Sequence, residues 1–374
     1  MANRFNTLHI EHFRAITNLQ IDNLGQVNLI TGMNNTGKTS VLEAIRILAS
    51  DASLNTISQI LRLREEDAVD SDESPRSNDA DNSFLFSSLF PGYPEFSPDL
   101  PPIHIQGVQG DQPGTISVKP CWLTERRSDN GVRQLTLAAP SFFEEDEHVP
   151  GLRIKFKDSE RLLSLDSFRR NTFRFTRSMD GSDERRPPCQ YVGTANGDRT
   201  AGLGLLWDRI ALSDLEPHVV SALAIIDDSI SAVSMVGADG VRSGRIAIVR
   251  SKRFARPVPL KSFGDGVNRL FGIVLSLVNA KDGCLLIDEF ENGLHHTVQA
   301  NAWRMIFKIA AALNVQVFAT THSVDAIDAF QHVAREVPET GVLVRLARRG
   351  QAIVSTVFSE DELAVVARNQ IEVR

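Results

Sequence analysis

Val27-Asn28-Leu29-Ile30-Thr31-Gly32-Met33-Asn34-Asn35-Thr36-Gly37-Lys38-Thr39-Ser40-Val41-Leu42-Glu43-Ala44-Ile45 is the stretch that decides the fold of this chain. The compact apolar run Val27–Ile30 reads as a buried strand, and Val41, Leu42, Ile45 and Leu48 recur at helical spacing. Between them Gly32 to Thr39 matches G-x-x-x-x-G-K-[ST] at every required position. Strand, glycine-bearing loop and helix in that order form a phosphate-binding βα unit. The glycines let backbone N–H groups turn inward as an anion nest, and the helix N-terminus adds partial positive charge behind them. Gly32, Asn34, Asn35, Thr36, Gly37, Lys38, Thr39 and Ser40 are the expected cradle. Lys38 can reach the β- and γ-phosphates of a nucleotide, and the Thr39 hydroxyl can ligate Mg²⁺. A plain glycine-rich turn with an exposed lysine is the competing reading, and the flanking strand and helix count against it.

Working outward, the apolar run Cys284–Ile287 leads straight into Asp288-Glu289. Consecutive carboxylates at the C-terminal end of a parallel strand lie where α/β folds bind ligands. Asp288 fits a Mg²⁺-holding role, and Glu289 fits the general base that polarises an attacking water. The next strand, Val315–Ala319, runs into Thr320-Thr321-His322-Ser323. His322 can touch the γ-phosphate or the attacking water, although a histidine at a sheet edge is often only structural. Lys261-Ser262-Phe263-Gly264-Asp265-Gly266 directly precedes the almost wholly apolar helix Val267–Asn279. Ser262 supplies a hydroxyl, Gly264 permits close backbone approach, and the helix start offers a positive dipole end. Serine and glycine before a helix are also common capping residues.

The pattern divides the chain into residues 1–82 with the phosphate loop, a β-rich insertion or lobe over 83–201, and residues 202–374, in which strands alternate with helices. That alternation predicts a parallel α/β sheet. Ile103–Gln106, Thr115–Val118, Gln134–Leu137 and Leu152–Phe156 read as strands of the middle part, and Gly341–Leu346 with Ala352–Phe358 as a hairpin. The acidic run 65–83 reads as a solvated loop, and its Asp70-Ser71-Asp72 as part of that loop rather than a metal site.

Composition narrows the rest. The 374 residues carry 40 Lys and Arg against 47 Asp and Glu, a net charge of −7, which excludes wholesale coating of nucleic acid through overall charge. Two basic stretches still offer a local groove: Arg242, Arg245, Arg250, Lys252, Arg253 and Arg256, and Arg169, Arg170, Arg174 and Arg177 beside Phe173 and Phe175. A solvated or partner-facing surface explains them equally well. The three cysteines, Cys121, Cys189 and Cys284, are far apart and form no CxxC pair, so neither a disulfide framework nor a zinc ribbon is expected. With no signal peptide at the N-terminus and no apolar run of membrane-spanning length, the expectation is a soluble cytoplasmic protein with no membrane partner.

Taken together, FNTLHIEHFRAI, VNLITGMNNTGKTSVLEAI, SFGDGVNRL, LLIDEFENGLH and FATTHS resemble the ATP-binding-cassette head ATPases, and within these the RecF and OLD-like standalone AAA ATPases. The resemblance covers residues 4–50 and 202–330 and implies an α/β P-loop NTPase of head type that hydrolyses ATP with Mg²⁺. By position it implies Walker A at Lys38 and Thr39, Walker B at Asp288 and Glu289, and the signature at Ser262 and Gly264. It further implies a D-loop at Glu291–His295 and a switch histidine at His322. Phe263 stands where the usual signature has the first of two glycines, and Asp265 follows. Arg14, in the family's FR position, is either near the nucleotide or a surface arginine at a strand end. In such heads two chains sandwich two ATPs, each signature closing the other chain's site, so a homodimer or higher oligomer is expected. About 220 residues without sustained heptads separate Walker A from the signature, so long coiled-coil arms are not expected, and neither is a C-terminal TOPRIM nuclease. Heads of this kind resemble the ATPase subunits of bacterial anti-phage systems that act with a separate nuclease or toxin. A RecF-like DNA-binding ATPase is the alternative.

Overall fold

The computed structural model describes residues 5–63, 84–109, 112–127, 133–138, 148–164, 187–193, 200–237, 245–337, 340–358 and 362. The chain opens with a hairpin, β1 (Thr7–Phe13) and β2 (Ile16–Ile21), then β3 (Val27–Thr31), the phosphate loop and α1 (Lys38–Ala49). After α2 (Leu54–Leu63) and the one-turn α3 (Phe84–Ser87) come β4 (Ile103–Gln109), β5 (Gln112–Arg127), β6 (Arg133–Leu137), β7 (His148–Phe156) and β8 (Ser159–Ser164). The remainder runs β9 (Cys189–Val192), α4 (Thr200–Asp208), α5 (Glu216–Ile226), β10 (Ile230–Gly237), β11 (Arg245–Ser251) and β12 (Val258–Pro259). A 3₁₀ turn (Leu260–Phe263) leads into α6 (Asp265–Val278), followed by β13 (Cys284–Ile287), α7 (His296–Leu313), β14 (Gln316–Thr321), α8 (Val324–Ala334), β15 (Gly341–Arg349) and β16 (Ala352–Phe358).

The central sheet has the order β16-β15-β3-β14-β13-β9, parallel throughout except for the antiparallel edge strand β16. Every residue of β3, β13 and β14 is buried, which is why these strands read as continuous apolar runs rather than alternating ones. Their side chains divide between two cores with the period-two rule of a strand. Leu285 and Ile287 pack with α5, α6, α7 and α8, whereas Cys284 and Leu286 pack on the other face with α1, α2 and the first strands. Val317 and Ala319 join the first core, and Phe318 joins the second.

The second face is closed by a seven-stranded antiparallel sheet, β2-β1-β4-β5-β7-β8 with β6 on β5. The β-rich middle of the chain extends the N-terminal hairpin, because β4 pairs directly with β1, Ile105 opposite Ile10. At its far end β9 crosses into the central sheet beside β13. A third small sheet, β10-β11-β12, lies before the signature turn. One strand is much longer than its pattern suggests. β5 runs through Pro113 and Pro120, whereas the sequence marked only Thr115–Val118. β4 pairs with it as far as Val118 and β6 only from Leu123, so at Pro120 β7 is the one neighbour and the missing N–H breaks no ladder.

Candidate nucleotide site at the strand ends

Parallel register brings the C-terminal ends of four strands together: Thr321 opposite Thr31, Ala319 opposite Ile287, and Ile287 opposite Val192. The residues picked out by sequence as Walker A, Walker B and switch histidine follow three of these ends.

Gly32 leaves β3 with φ of 149°, and a Cβ there would lie 2.4 Å from the Leu346 carbonyl oxygen and 2.8 Å from Thr36 Oγ1. Only glycine lets the loop lie this close to β15. Asn35 and Gly37 take left-handed φ of 60° and 84°, and Gly37 caps α1. Thr36 Oγ1 donates to the Met33 carbonyl at 2.8 Å and fixes the bend. Lys38 Nζ donates to the Gly32 and Met33 carbonyls at 2.7 and 2.9 Å, so the ammonium folds back over the loop. Asn34 and Asn35 are exposed, whereas Ser40 is buried in α1.

Asp288 is the meeting point of the site. It is 7% exposed, and Oδ1 accepts from Thr320 Oγ1 at 2.6 Å. Thr39 Oγ1 approaches its two oxygens at 3.2 and 3.3 Å, and Tyr191 Oη approaches Oδ2 at 3.4 Å. Burial, then the Asp288 charge, pushes the Tyr191 phenol well above its ordinary range, so it stays a donor. Glu289 turns the chain at φ 48°, and its N–H donates to Thr320 Oγ1 at 2.9 Å. The turn is anchored by Phe290, fully buried and stacked on Trp303 with centroids 4.0 Å apart. His322 lies beyond β14, its side chain 46% exposed, with Nδ1 3.0 Å from Glu291 Oε1.

Ser262 and Gly264 belong to the turn before α6. Ser262 lies in the 3₁₀ turn, Gly264 has φ of 103° and caps α6, and both are exposed. Among the described residues no hydrogen bond joins either to Gly32–Thr39 of the same chain. Phe263, in the place of a signature glycine, packs edge-on against Phe254 at 5.9 Å.

Four contributors carried little sequence signal. Arg269 of α6 donates to the Gly193 carbonyl at 2.7 Å and to the Asp288 carbonyl at 3.3 Å. Burial lowers its pKa, while the charges of Asp288 and Glu289 work in the opposite direction. A single cation in an otherwise apolar helix is the signal that could have found it, because a buried charge needs partners. Thr320 and Glu291 stand inside motifs whose sequence carries no sign of the bonds they make. Tyr191 lies on the four-residue β9, too short to show a period.

Arg14 is not a surface residue. It is 4% exposed, pairs with Glu43 of α1 at 3.2 Å and donates to the Ser88 carbonyl at 2.9 Å, tying the β1-β2 turn to α1. In the basic stretch of β11, Arg245 pairs with Asp208 at 2.5 Å and Arg253 with Asp227 at 3.2 Å, while Arg250, Lys252 and Arg256 are exposed. Arg242, the cluster Arg169, Arg170, Arg174 and Arg177, and Asp70–Asp72 lie outside the described residues. No described helix is long and apolar enough to cross a membrane.

Residues 140–328 match the family model described as "AAA domain, putative AbiEii toxin, Type IV TA system", and residues 4–86 match the "AAA ATPase domain" model. An ATP/GTP phosphatase of Helicobacter pylori is 23% identical over 351 residues, spanning 88% of both chains. Shorter matches are 50% identity over 44 residues to an uncharacterized protein of Methanocaldococcus jannaschii and 43% over 65 residues to the DNA replication and repair protein RecF of Shewanella piezotolerans. These cover 12% and 17% of this chain, and only 20% and 18% of those proteins. Among solved structures, an SMC head crystallised with the C-winged helix domain of ScpA superposes with a TM-score of 0.52 at 10% identity, over 97% of this chain and 100% of that one. That likeness gives the fold, an α/β P-loop NTPase of the SMC and ABC head type. With half of its length matched by one family model, the chain belongs to the AAA-domain family of P-loop ATPases.

Proposed function

We propose that this chain binds ATP with Mg²⁺, hydrolyses it, and works as a switch in which two copies close around the nucleotide. The observation that carries the reading is the meeting of Thr39 and Asp288, 249 residues apart in sequence, at 3.2 Å beside the phosphate loop. Their oxygen donors suit Mg²⁺, which characteristically takes a carboxylate or two together with substrate phosphates. When bound, the cation neutralises charge developing on the β- and γ-phosphate oxygens. The chain's own residues supply the rest. Backbone N–H groups of Gly32–Thr39 hold phosphate oxygens, and Lys38 exchanges its carbonyl partners for the β- and γ-phosphates. Thr320 and Tyr191 orient the Asp288 carboxylate. Glu289 accepts a proton from the attacking water, a contribution of about 10²–10⁴ in rate.

Ser262, Gly264 and the start of α6 form the second half of the site, supplied to the other copy. Arg269 links that helix to the Asp288 strand end, so closure at the signature and the state of the carboxylates are mechanically joined. The toxin description of the matched family supports a role as the ATPase or sensor subunit of a cytoplasmic anti-phage system acting with a separate effector, a nuclease or toxin. A RecF-like DNA-binding ATPase is the second reading, favoured by the RecF match and by exposed Arg250, Lys252 and Arg256.

Equilibrium ATP binding and phosphate release by the purified chain test the proposal. Lys38→Ala is expected to weaken ATP binding by about 100-fold or more, the cost of removing a charge-assisted phosphate contact. Retained tight binding would remove the phosphate loop from the site. Duplex DNA added to the same assay separates the two roles: stimulation that falls steeply with salt belongs to the DNA-binding reading.

A further inference from the structure

Sheet register brings together two cysteines that lie far apart in sequence. In the parallel pairing of β9 with β13, Cys189 stands directly opposite Cys284. Both side chains lie on the face that packs against α1, α2 and the first strands, Cys284 fully buried and Cys189 half-buried. Each carries its sulfur as a thiol. The strand starts are in close contact: the Cys284 N–H donates to the Pro188 carbonyl at 2.9 Å, and a Cβ at Gly283 would lie 1.9 Å from that oxygen. Neighbouring strands of a sheet stand about 4.8 Å apart, inside the Cα separation of about 4.4–6.8 Å that a disulfide accepts.

The half-buried member has a reactive setting. Arg46 of α1 stacks over the Tyr191 ring at 4.9 Å and donates to Gln59 of α2. Burial lowers the pKa of Arg46, and the Cys189 charge is the first of the opposing influences, so a cation stands beside that sulfur. A cation next to a partly exposed cysteine is the setting in which thiols react with oxidants. Cys121, on β5, has the opposite setting, since burial pushes its thiol up to about 11.

We propose that Cys189 and Cys284 are a redox-active dithiol, which a peroxide closes into a disulfide that locks the edge strand β9 onto β13. Cys189 Sγ attacks one peroxide oxygen, the O–O bond breaks, and a first water leaves with the thiol proton, giving a sulfenic acid. Cys284 Sγ then attacks Cys189 Sγ, the S–O bond breaks, and a second water carries away the Cys284 proton. The two sulfurs together lose two electrons, and the peroxide is reduced to two waters. β9 ends the central sheet and carries Tyr191, which approaches Asp288 Oδ2, and it leads to Gly193, whose carbonyl accepts from Arg269. The lock therefore fixes a strand that contacts Asp288. This chemistry is independent of ATP turnover.

Hydrogen peroxide added to the full chain without nucleotide, followed by alkylation under denaturing conditions and non-reducing peptide mapping, tests the pair. A linked Cys189–Cys284 peptide, lighter than its parts by two hydrogens, is expected, with Cys121 still alkylated, and dithiothreitol should return both thiols. Closing a loop of roughly a hundred residues should raise the Tm by about 5 °C, a rise absent in Cys189→Ser. In Cys284→Ser, oxidation should stop at a Cys189 sulfenic acid that dimedone traps. Full alkylation of both cysteines after peroxide, a bridge that includes Cys121, or a bridge between chains would overturn the dithiol. A bridged chain whose Tm is unchanged or lower would overturn the lock. Because the peptide map is read on the wild-type chain, it decides the pairing even where Cys284→Ser fails to fold.

Discussion

Gly32–Thr39 and Lys261–Asp265 are both glycine-bearing turns that open a helix, and they are built in opposite ways. In the first, Thr36 and Lys38 are bonded back to the loop and Thr39 meets Asp288, which Thr320 holds at 2.6 Å. In the second, Ser262 and Gly264 are exposed, and among the described residues neither bonds to the phosphate loop of its own chain. Both turns have an uncapped helix N-terminus, the feature that suits an anion. The difference fits the proposed reading, in which one chain carries two half-sites: one at the strand ends, assembled within its own fold, and one at the signature turn, offered outward for a second copy's nucleotide.

Substitutions can break each side of that contrast in turn. The largest effect is expected at Glu289. Glu289→Gln keeps the shape of the strand-end half and removes the proposed base, so phosphate release should fall by about 10²–10⁴ while ATP binding persists. Single-turnover kinetics beside equilibrium binding checks this, and unchanged hydrolysis would assign the base elsewhere. Next in size is Thr320→Val, which keeps the volume and removes the hydroxyl that donates to Asp288 and accepts from the Glu289 N–H. Taking the 2.6 Å donor from Asp288, which keeps Thr39 and Tyr191, and leaving the Glu289 N–H without its acceptor should cost about 1–3 kcal/mol in urea unfolding and lower kcat. A variant as stable and active as the wild type would mean that the strand-end half needs no such bonding.

The phosphate loop was legible because its chemistry is contiguous: spacing, strand and helix all lie within residues 27–48. The place of Asp288 and Glu289 at a strand end was legible for the same reason, an apolar run leading into two carboxylates. The partners that orient them were not. Tyr191, Thr320, Arg269 and Glu291 acquire their roles through pairings made by sheet register and helix packing, and a local pattern carries no information about register. The burial of Arg14 was not legible for the same reason, since it depends on Glu43 and Ser88, which lie 29 and 74 residues along the chain. The antiparallel sheet was half legible. Its individual strands alternate, but the pairing of β4 with β1 and the passage of β5 through Pro120 depend on neighbours supplied from elsewhere.

Two defective chains, mixed, test the central claim most directly. Lys38→Ala spoils the strand-end half and leaves the signature intact, and Ser262→Arg obstructs the signature and leaves the phosphate loop intact. If each site is completed by a second copy, either variant alone should be nearly inactive, and mixing them should restore ATP hydrolysis. In a mixed pair the intact loop of one copy meets the intact signature of the other. Full activity of Ser262→Arg alone, or no recovery in a mixture shown to contain mixed pairs, would contradict the two-half-site account.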